Sequence, residues 1–324
     1  MKKPLNVLAC ILAAALLTGG CAAPAQEENA QGQAGVESTA AVPEEGQGPG
    51  GLTRVEASLE PVVLADNDSL TATVTEYNQE SDRGPAFTLL LENKTESTLY
   101  FTMENVSVND VMNDPFWGVN VAAGDKISSE LYWAYQDLAT TGIHYIQEVE
   151  GVLWVYDADD YSVGDVYKAP VAWHVDNGET ELPPAEEAVF RGGIEEIELL
   201  ATEELTAVIK DYSPQGEWGP MLTIYLENNT DSTILFRMSD VTVNGKSFTT
   251  HWTTDVQAGK VAYSPCYWWQ DDLEENQIRE IETMSFAFHA LDFDTMESLT
   301  GTTVTISLEG DGAVLARSGD DAQP

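Results

Sequence analysis

Carboxylates are the most abundant reactive groups in this 324-residue chain, and two clusters have a form that a hard cation could use. Asp157, Asp159 and Asp160 close one alternating apolar segment, and Asp292 and Asp294 close another. Calcium takes six to eight oxygens, so each is only a partial set, to which Asp66-Asn67-Asp68 could add. Neither cluster has calcium-loop spacing, and 55 acidic against 14 basic residues make chance clusters frequent. The reading is no resident metal, with those five aspartates as weak calcium candidates. His144, His174, His251 and His289 are widely spaced, and no His-Glu-x-x-His or paired-cysteine motif offers a transition-metal site. There is no Gly-x-Ser-x-Gly elbow and no Walker loop. Carboxylate pairs are too common here to mark a glycosidase. The expectation is a protein that is not an enzyme and carries no cofactor.

Aromatic side chains are the better candidates for binding, because a flat exposed ring stacks on a sugar face or anchors a protein interface. Which of the eight tryptophans are free to do so follows from an internal repeat. Glu92-Asn93-Lys94-Thr95-Glu96-Ser97-Thr98 returns 135 positions later as Glu227-Asn228-Asn229-Thr230-Asp231-Ser232-Thr233, and the offset holds from about Val62 to Trp133. A repeat at this length means two copies of one fold. It pairs Trp133 with Trp268 and Trp117 with Trp252, which favours packing roles. Trp218 has Arg83 as its counterpart, Trp269 has Ala134, and Tyr135 has Gln270. These three unmatched rings are the leading ligand-binding candidates, with Trp117 and Trp252 kept as weaker ones. Cys266 falls on Leu131, so it reads as a buried apolar position and not a nucleophile. Beyond Trp133 the copies are expected to differ in length by about three residues, aligning Trp154 with Phe286.

The N-terminus begins with a short basic region and the apolar run Leu5–Leu17, which is signal-peptide length. The run ends in Leu17-Thr18-Gly19-Gly20-Cys21-Ala22, which resembles a bacterial lipoprotein signal. The resemblance implies lipidation of Cys21 with palmitate-type acyl chains, and anchoring on the outer face of the cytoplasmic membrane, exposed to the cell exterior. A plain secretory signal cut near Ala22 or Ala23 is the alternative. Residues 1–20 are then the signal peptide. Residues 21–53, rich in Glu, Gln, Ala, Gly and Pro, form a disordered tether with too little apolar surface to fold. Only Cys266 remains in the folded part, so each copy must hold together by its core. The net charge of −41 argues against nucleic acid and against lying flat on an anionic surface.

The elements that must position the aromatics read as strands. Leu70–Tyr77 and Leu205–Tyr212 alternate apolar and polar residues. Ala86–Glu92 and Met221–Glu227 are central strands that run into asparagine turns, and Thr98–Met103 and Thr233–Met238 resume the pairing. Val106–Asp110 and Val241–Gly245 are short strands ending in tight turns. Segments beginning at Asp137 and Asp272 suit single helical turns. Long strands follow at Val149–Tyr156 and Ile281–Phe288. The expected fold is all-β: two tandem β-sandwich domains at 54–178 and 188–310, a Pro183-Pro184 linker at 179–187, and a disordered tail at 311–324.

The patterns Glu227-Asn228-Asn229-Thr230-Asp231, Val241-Thr242-Val243-Asn244-Gly245 and Asp255-Val256-Gln257-Ala258-Gly259-Lys260, with their first-copy twins, resemble tandem immunoglobulin-like exported domains of clostridial-type surface lipoproteins, a family of unknown function. The resemblance implies an immunoglobulin-like fold and an exported location, and it supplies no catalytic residue. Three functional readings remain: non-catalytic modules that bind an envelope protein or organise the envelope, a carbohydrate-binding surface protein, and a structural spacer. Two or more exposed, coplanar aromatics with polar neighbours would favour the second.

Overall fold

Alternation of apolar and polar residues, with asparagine and glycine at the bends, produces strands throughout. The computed structural model describes residues 52, 53, 55–178, 196–216, 218–249, 252–309 and 312–317. The signal peptide, Cys21, most of the tether and the 179–187 linker lie outside the described residues, all of which fall in one compact unit of the chain. The first repeat contains β1 (Val62–Asp66), β2 (Leu70–Asn78), β3 (Ala86–Asn93), β4 (Leu99–Val108), β5 (Val111–Met112), β6 (Gly118–Val121), β7 (Lys126–Tyr132), α1 (Tyr135–Thr140), β8 (Glu148–Asp157) and β9 (Asp165–His174). The second contains β10 (Ile197–Ala201), β11 (Leu205–Gly216), β12 (Gly219–Asn228), β13 (Ile234–Val243), β14 (Lys246–Ser247), β15 (Thr253–Val256), β16 (Val261–Tyr267), α2 (Gln270–Glu275), β17 (Thr283–Asp292), β18 (Ser298–Glu309) and β19 (Gly312–Arg317).

The architecture is all-β and multi-sheet. One sheet has the order β1-β2-β3-β7. A nine-stranded sheet runs β10-β11-β12-β16-β5-β4-β8-β9, with β6 on β4, and a third runs β14-β13-β17-β18-β19, with β15 on β13. Buried apolar residues form two clusters. The first joins Val74, Phe87, Leu89 and Leu131 from one sheet to Phe101, Leu153, Val155 and Trp173 from another. The second does the same with Ile209, Leu222, Ile224 and Cys266 against Phe236, Phe286, Phe288 and Val304.

Four details differ from the sequence expectation. Leu52, the first leucine after Cys21, is buried, and Thr53 N–H donates to the His144 carbonyl at 2.6 Å, so ordered packing begins just inside the segment assigned to the tether. The 135-residue offset runs unbroken into the long strands: Thr102 opposes Trp154 and Arg237 opposes His289, so His289, not Phe286, is the counterpart of Trp154. The expected short strands at Val106 and Val241 continue β4 and β13 past a bulge where Asn105 and Asp240 take positive φ. At the far end, β19 pairs with β18 within the stretch assigned to the tail.

The repeated Glu-Asn-x-Thr motif has a specific cause. Asn93 is fully buried at the end of β3. Its Nδ2 donates to the carbonyls of Ser97 and Val121, both at 2.8 Å, and its Oδ1 accepts from Thr95 N–H at 2.9 Å and Thr95 Oγ1 at 2.7 Å. Val121 ends β6, which belongs to the other sheet, so one side chain fixes the turn and ties two sheets. Asn228 repeats all four bonds with Ser232, Val256 and Thr230. The asparagine is needed for its amide, not for a left-handed backbone, since neither residue has positive φ.

The repeats meet edge to edge. The two-residue turn Asn109-Asp110 has positive φ at both positions, as does Asn244-Gly245, which is the type I′ pattern. In the first repeat it presents β5, which pairs in parallel with β16: Val111 opposes Val261, Met112 opposes Ala262, and Val261 N–H donates to the Asp110 carbonyl at 3.0 Å. Lys260 bonds Asp110 at 2.6 Å and also pairs with Glu150. Burial pulls the Lys260 ammonium down, but the two carboxylates outweigh it and the net shift is upward.

Replacing Asn228 by Ala strands two buried carbonyls and an N–H, so the expected loss of stability is about 2–4 kcal/mol. Chemical denaturation measures it. A loss within about 0.5 kcal/mol would remove the asparagine from its structural role.

Candidate functional site

Trp218 and Trp269 come together at one end of the second repeat. Residues 217 and 218 connect β11 to β12, where Gly216 opposes Gly219. Gly219 has φ +134°, and a Cβ there would lie 2.2 Å from the Trp268 carbonyl oxygen, so close backbone packing requires glycine. Trp269 immediately precedes α2. Gln270 N–H donates to the Trp218 carbonyl at 3.0 Å and fixes the hairpin against the helix. The Trp218 and Trp269 ring centroids are 5.8 Å apart with planes 32° apart, and the Tyr267 ring meets Trp218 edge-on at 5.2 Å. Trp218 is 49% exposed and Trp269 53%. Beside them opens a cleft of about 540 Å³, lined otherwise by Pro214, Gln215, Gly216, Gly219, Gln270 and Asp271.

The first repeat shows why this cleft exists. There the Tyr135 hydroxyl lies 3.0 Å from the Gln79 carbonyl and 2.9 Å from that of Ser81, bridging α1 to the loop after β2. The counterparts of Gln79 and Ser81 are Pro214 and Gly216, and the counterpart of Tyr135 is Gln270. All three line the cleft. The opening is therefore the space that Tyr135 bridges in the other copy. Where Trp218 meets Tyr267, the first repeat has Arg83 over Tyr132, 4.6 Å from the ring centroid, with Phe116 stacked on the same ring at 5.5 Å.

The remaining sequence candidates are held in structural roles. Tyr135 is half-buried and packs on the first core. Trp117 donates from Nε1 to Ser129 Oγ at 3.1 Å, and Trp252, only 9% exposed, does the same to Ser264 Oγ at 3.0 Å. These twin bonds are the recurring feature that the repeat detected. Cys266 is fully buried against Met238, and burial pushes its thiol up to about 12. Sequence reasoning passed over Tyr267, Gln215, Gln270 and Asp271. Tyr267 has an aromatic twin in Tyr132, and the polar three carry a signal only through the offset.

The candidate aspartates cap loops. Asp157 Oδ1 accepts from the Asp159 and Asp160 N–H groups, both at 2.9 Å, Asp159 accepts from Thr98 N–H at 3.0 Å, and Asp160 caps Ser162. Asp292 accepts from the N–H and hydroxyl of Thr295, each at 2.8 Å, and these bonds, with weaker ones from the Ser232 side chain and Asp294 N–H, hold its carboxyl down. Among the described residues, no group of three or more His, Cys, Asp or Glu side chains could hold a metal ion. No helix among them is long and apolar enough to cross a membrane.

No family model matches the chain, and no curated protein does. Among solved structures, the YadV chaperone is similar at 11% identity, covering 67% of this chain and 91% of its own, with a TM-score of 0.21. A protein of unknown function from Porphyromonas gingivalis W83 is similar at 12% identity, covering 69% and 91%, with a TM-score of 0.19. Red sea bream transglutaminase is similar at 9% identity over 80% of this chain and 32% of its own, with a TM-score of 0.18. At such scores none of these likenesses carries an argument about fold or activity.

The hydrogen bonds from Thr295 hold the Asp292 carboxyl below the usual carboxylate range. A depressed carboxyl adds stability above its unfolded value and loses it as pH falls through the folded one. Asp292→Asn is expected to melt lower than wild type at pH 7, with the gap closing in acid. Thermal melts across pH test this, and a gap that stays constant with pH would refute it.

Proposed function

We propose that this is an exported, non-catalytic glycan-binding protein. A lipid on Cys21 holds it on the outer face of the cytoplasmic membrane, and Trp218 and Trp269 receive a carbohydrate. The observation that carries the reading is the pair of half-exposed tryptophans, tilted by 32° and so not coplanar, beside an open cleft with amide and carboxylate walls. A sugar has an apolar C–H face and a rim of hydroxyls. The rings take the face, while Gln215 and Gln270 offer donors and acceptors to the rim. The first repeat, whose matching space is bridged by Tyr135, serves as a spacer. Antiparallel strands from two sheets around a shared core in each repeat support the immunoglobulin-like sandwich, a fold that leaves the ligand to its loops.

A glycan array identifies the ligand, and titration of variants tests the site. Trp218→Ala and Trp269→Ala are each expected to weaken binding by about 2 kcal/mol, roughly 30-fold, because both remove aromatic anchors. Gln270→Tyr is expected to bridge the cleft and weaken binding with both tryptophans in place. Since the two rings are half exposed, melting temperatures of the alanine variants should stay close to wild type. Binding indifferent to all three changes would reject the site.

The anchor is tested separately. Mass spectrometry of the mature protein from its native host is expected to show an N-terminal Cys21 carrying acyl chains, two or more of them being needed for stable anchoring. An unmodified N-terminus at Ala22 or Ala23 would reject it.

A further inference from the structure

The cleft differs from its twin in charge as well as in shape. Trp218 replaces Arg83, so a cation is absent from this position. Asp271 replaces Gln136, and Gln215 replaces Glu80. Among the described lining residues Asp271 is the one charged side chain, and it lines the same cleft as two rings whose faces attract cations. The surrounding protein carries a net charge of −41, which repels acidic polymers and draws cationic ones toward the site.

We infer that the ligand is an oligosaccharide bearing free, protonated amines, a hexosamine chain without N-acetyl groups, with an ammonium held between Asp271 and the Trp218–Trp269 rings. This rests on the glycan reading above. The rings accept the C–H face of the sugar, as they would for any neutral chain. The ammonium adds an ion pair with the carboxylate and a cation–π contact, neither of which an uncharged hydroxyl or acetamide supplies. Uronic-acid chains meet the same carboxylate with like charge and are excluded.

The test is calorimetric titration of the full chain with four hexasaccharides, of glucosamine, N-acetylglucosamine, glucose (β-1,4-linked) and galacturonic acid, and with hexalysine. Glucosamine hexamer is expected to bind about fivefold to tenfold tighter than the two neutral chains, and galacturonate hexamer not at all. Asp271→Asn should erase the preference by weakening the glucosamine hexamer about fivefold to tenfold more than the neutral chains, and Trp218→Ala should weaken every glycan. The preference should also fade with added salt and as pH rises through the amine's titration. Equal binding of glucosamine and neutral chains, unaltered by Asp271→Asn, would overturn the amine assignment and leave the glycan site standing. Glucosamine binding insensitive to both Asp271→Asn and Trp218→Ala would overturn it too, as attraction to net charge alone. Binding of hexalysine with no glycan bound would overturn the glycan reading and this inference together.

Discussion

One buried amide in each repeat holds the architecture together. Asn93 and Asn228 sit where a strand ends, a turn begins and the opposite sheet passes overhead, and each spends both donors and its acceptor on those neighbours. A buried polar group is costly unless satisfied, so the chain around it has few alternatives. The threonine two places on must turn its N–H and hydroxyl inward, and the serine after it must offer its carbonyl. The last residue of the following edge strand must approach closely. With this corner fixed, the apolar faces of the two sheets fall opposite each other and the core closes. The tight turns, edge strands and short helices are built on that frame.

On a shared frame, the differences between the copies stand out. Tyr135 bridges from its helix to the loop after β2 in the first copy. With glutamine at the matching position the second copy is open, and tryptophans occupy the two places that would otherwise hold Arg83 and Ala134. These substitutions accompany a change in the strands beneath: β11 and β12 extend to Gly216 and Gly219, where β2 and β3 stop at Asn78 and Ala86. The glycine at the base, Gly84 or Gly219, is the same in both copies because the backbone passes too close for any Cβ.

Much of this was legible from residue order. Alternation marked Leu70–Tyr77 and Leu205–Tyr212 as half-buried strands, and they lie within β2 and β11. The offset separated Trp218 and Trp269 from the packed, twinned Trp117 and Trp252, because a ring required by the fold tends to recur and one required elsewhere need not. The same logic hid Tyr267, which recurs as Tyr132 yet helps form the aromatic cluster. Turn chemistry covers one part of the role of Asn93, whose Oδ1 accepts from Thr95 N–H as the bend requires. Its bond to Val121 depends on a partner 28 residues away. The join between β5 and β16 left no local trace, since a two-residue strand has no periodicity to read.

That join is asymmetric: a hairpin on one copy meets a strand edge on the other, and nothing in such a contact closes upon itself. Repeated, it would generate a ring or a fibre, according to whether the rotation closes. The outer ends of the pair carry different residues at the equivalent places. Lys126 stands where Val261 does and Lys246 where Val111 does, while Asp125 replaces Lys260 and Gly245 replaces Asp110. A third module docking in the same way would set two ammonium groups opposite each other and lose the lysine that bridges Asp110 and Glu150. Lysines on edge strands are a common protection against unwanted pairing. Lysines thus stand on the outer edges of the two copies at the places where valines make the join between them.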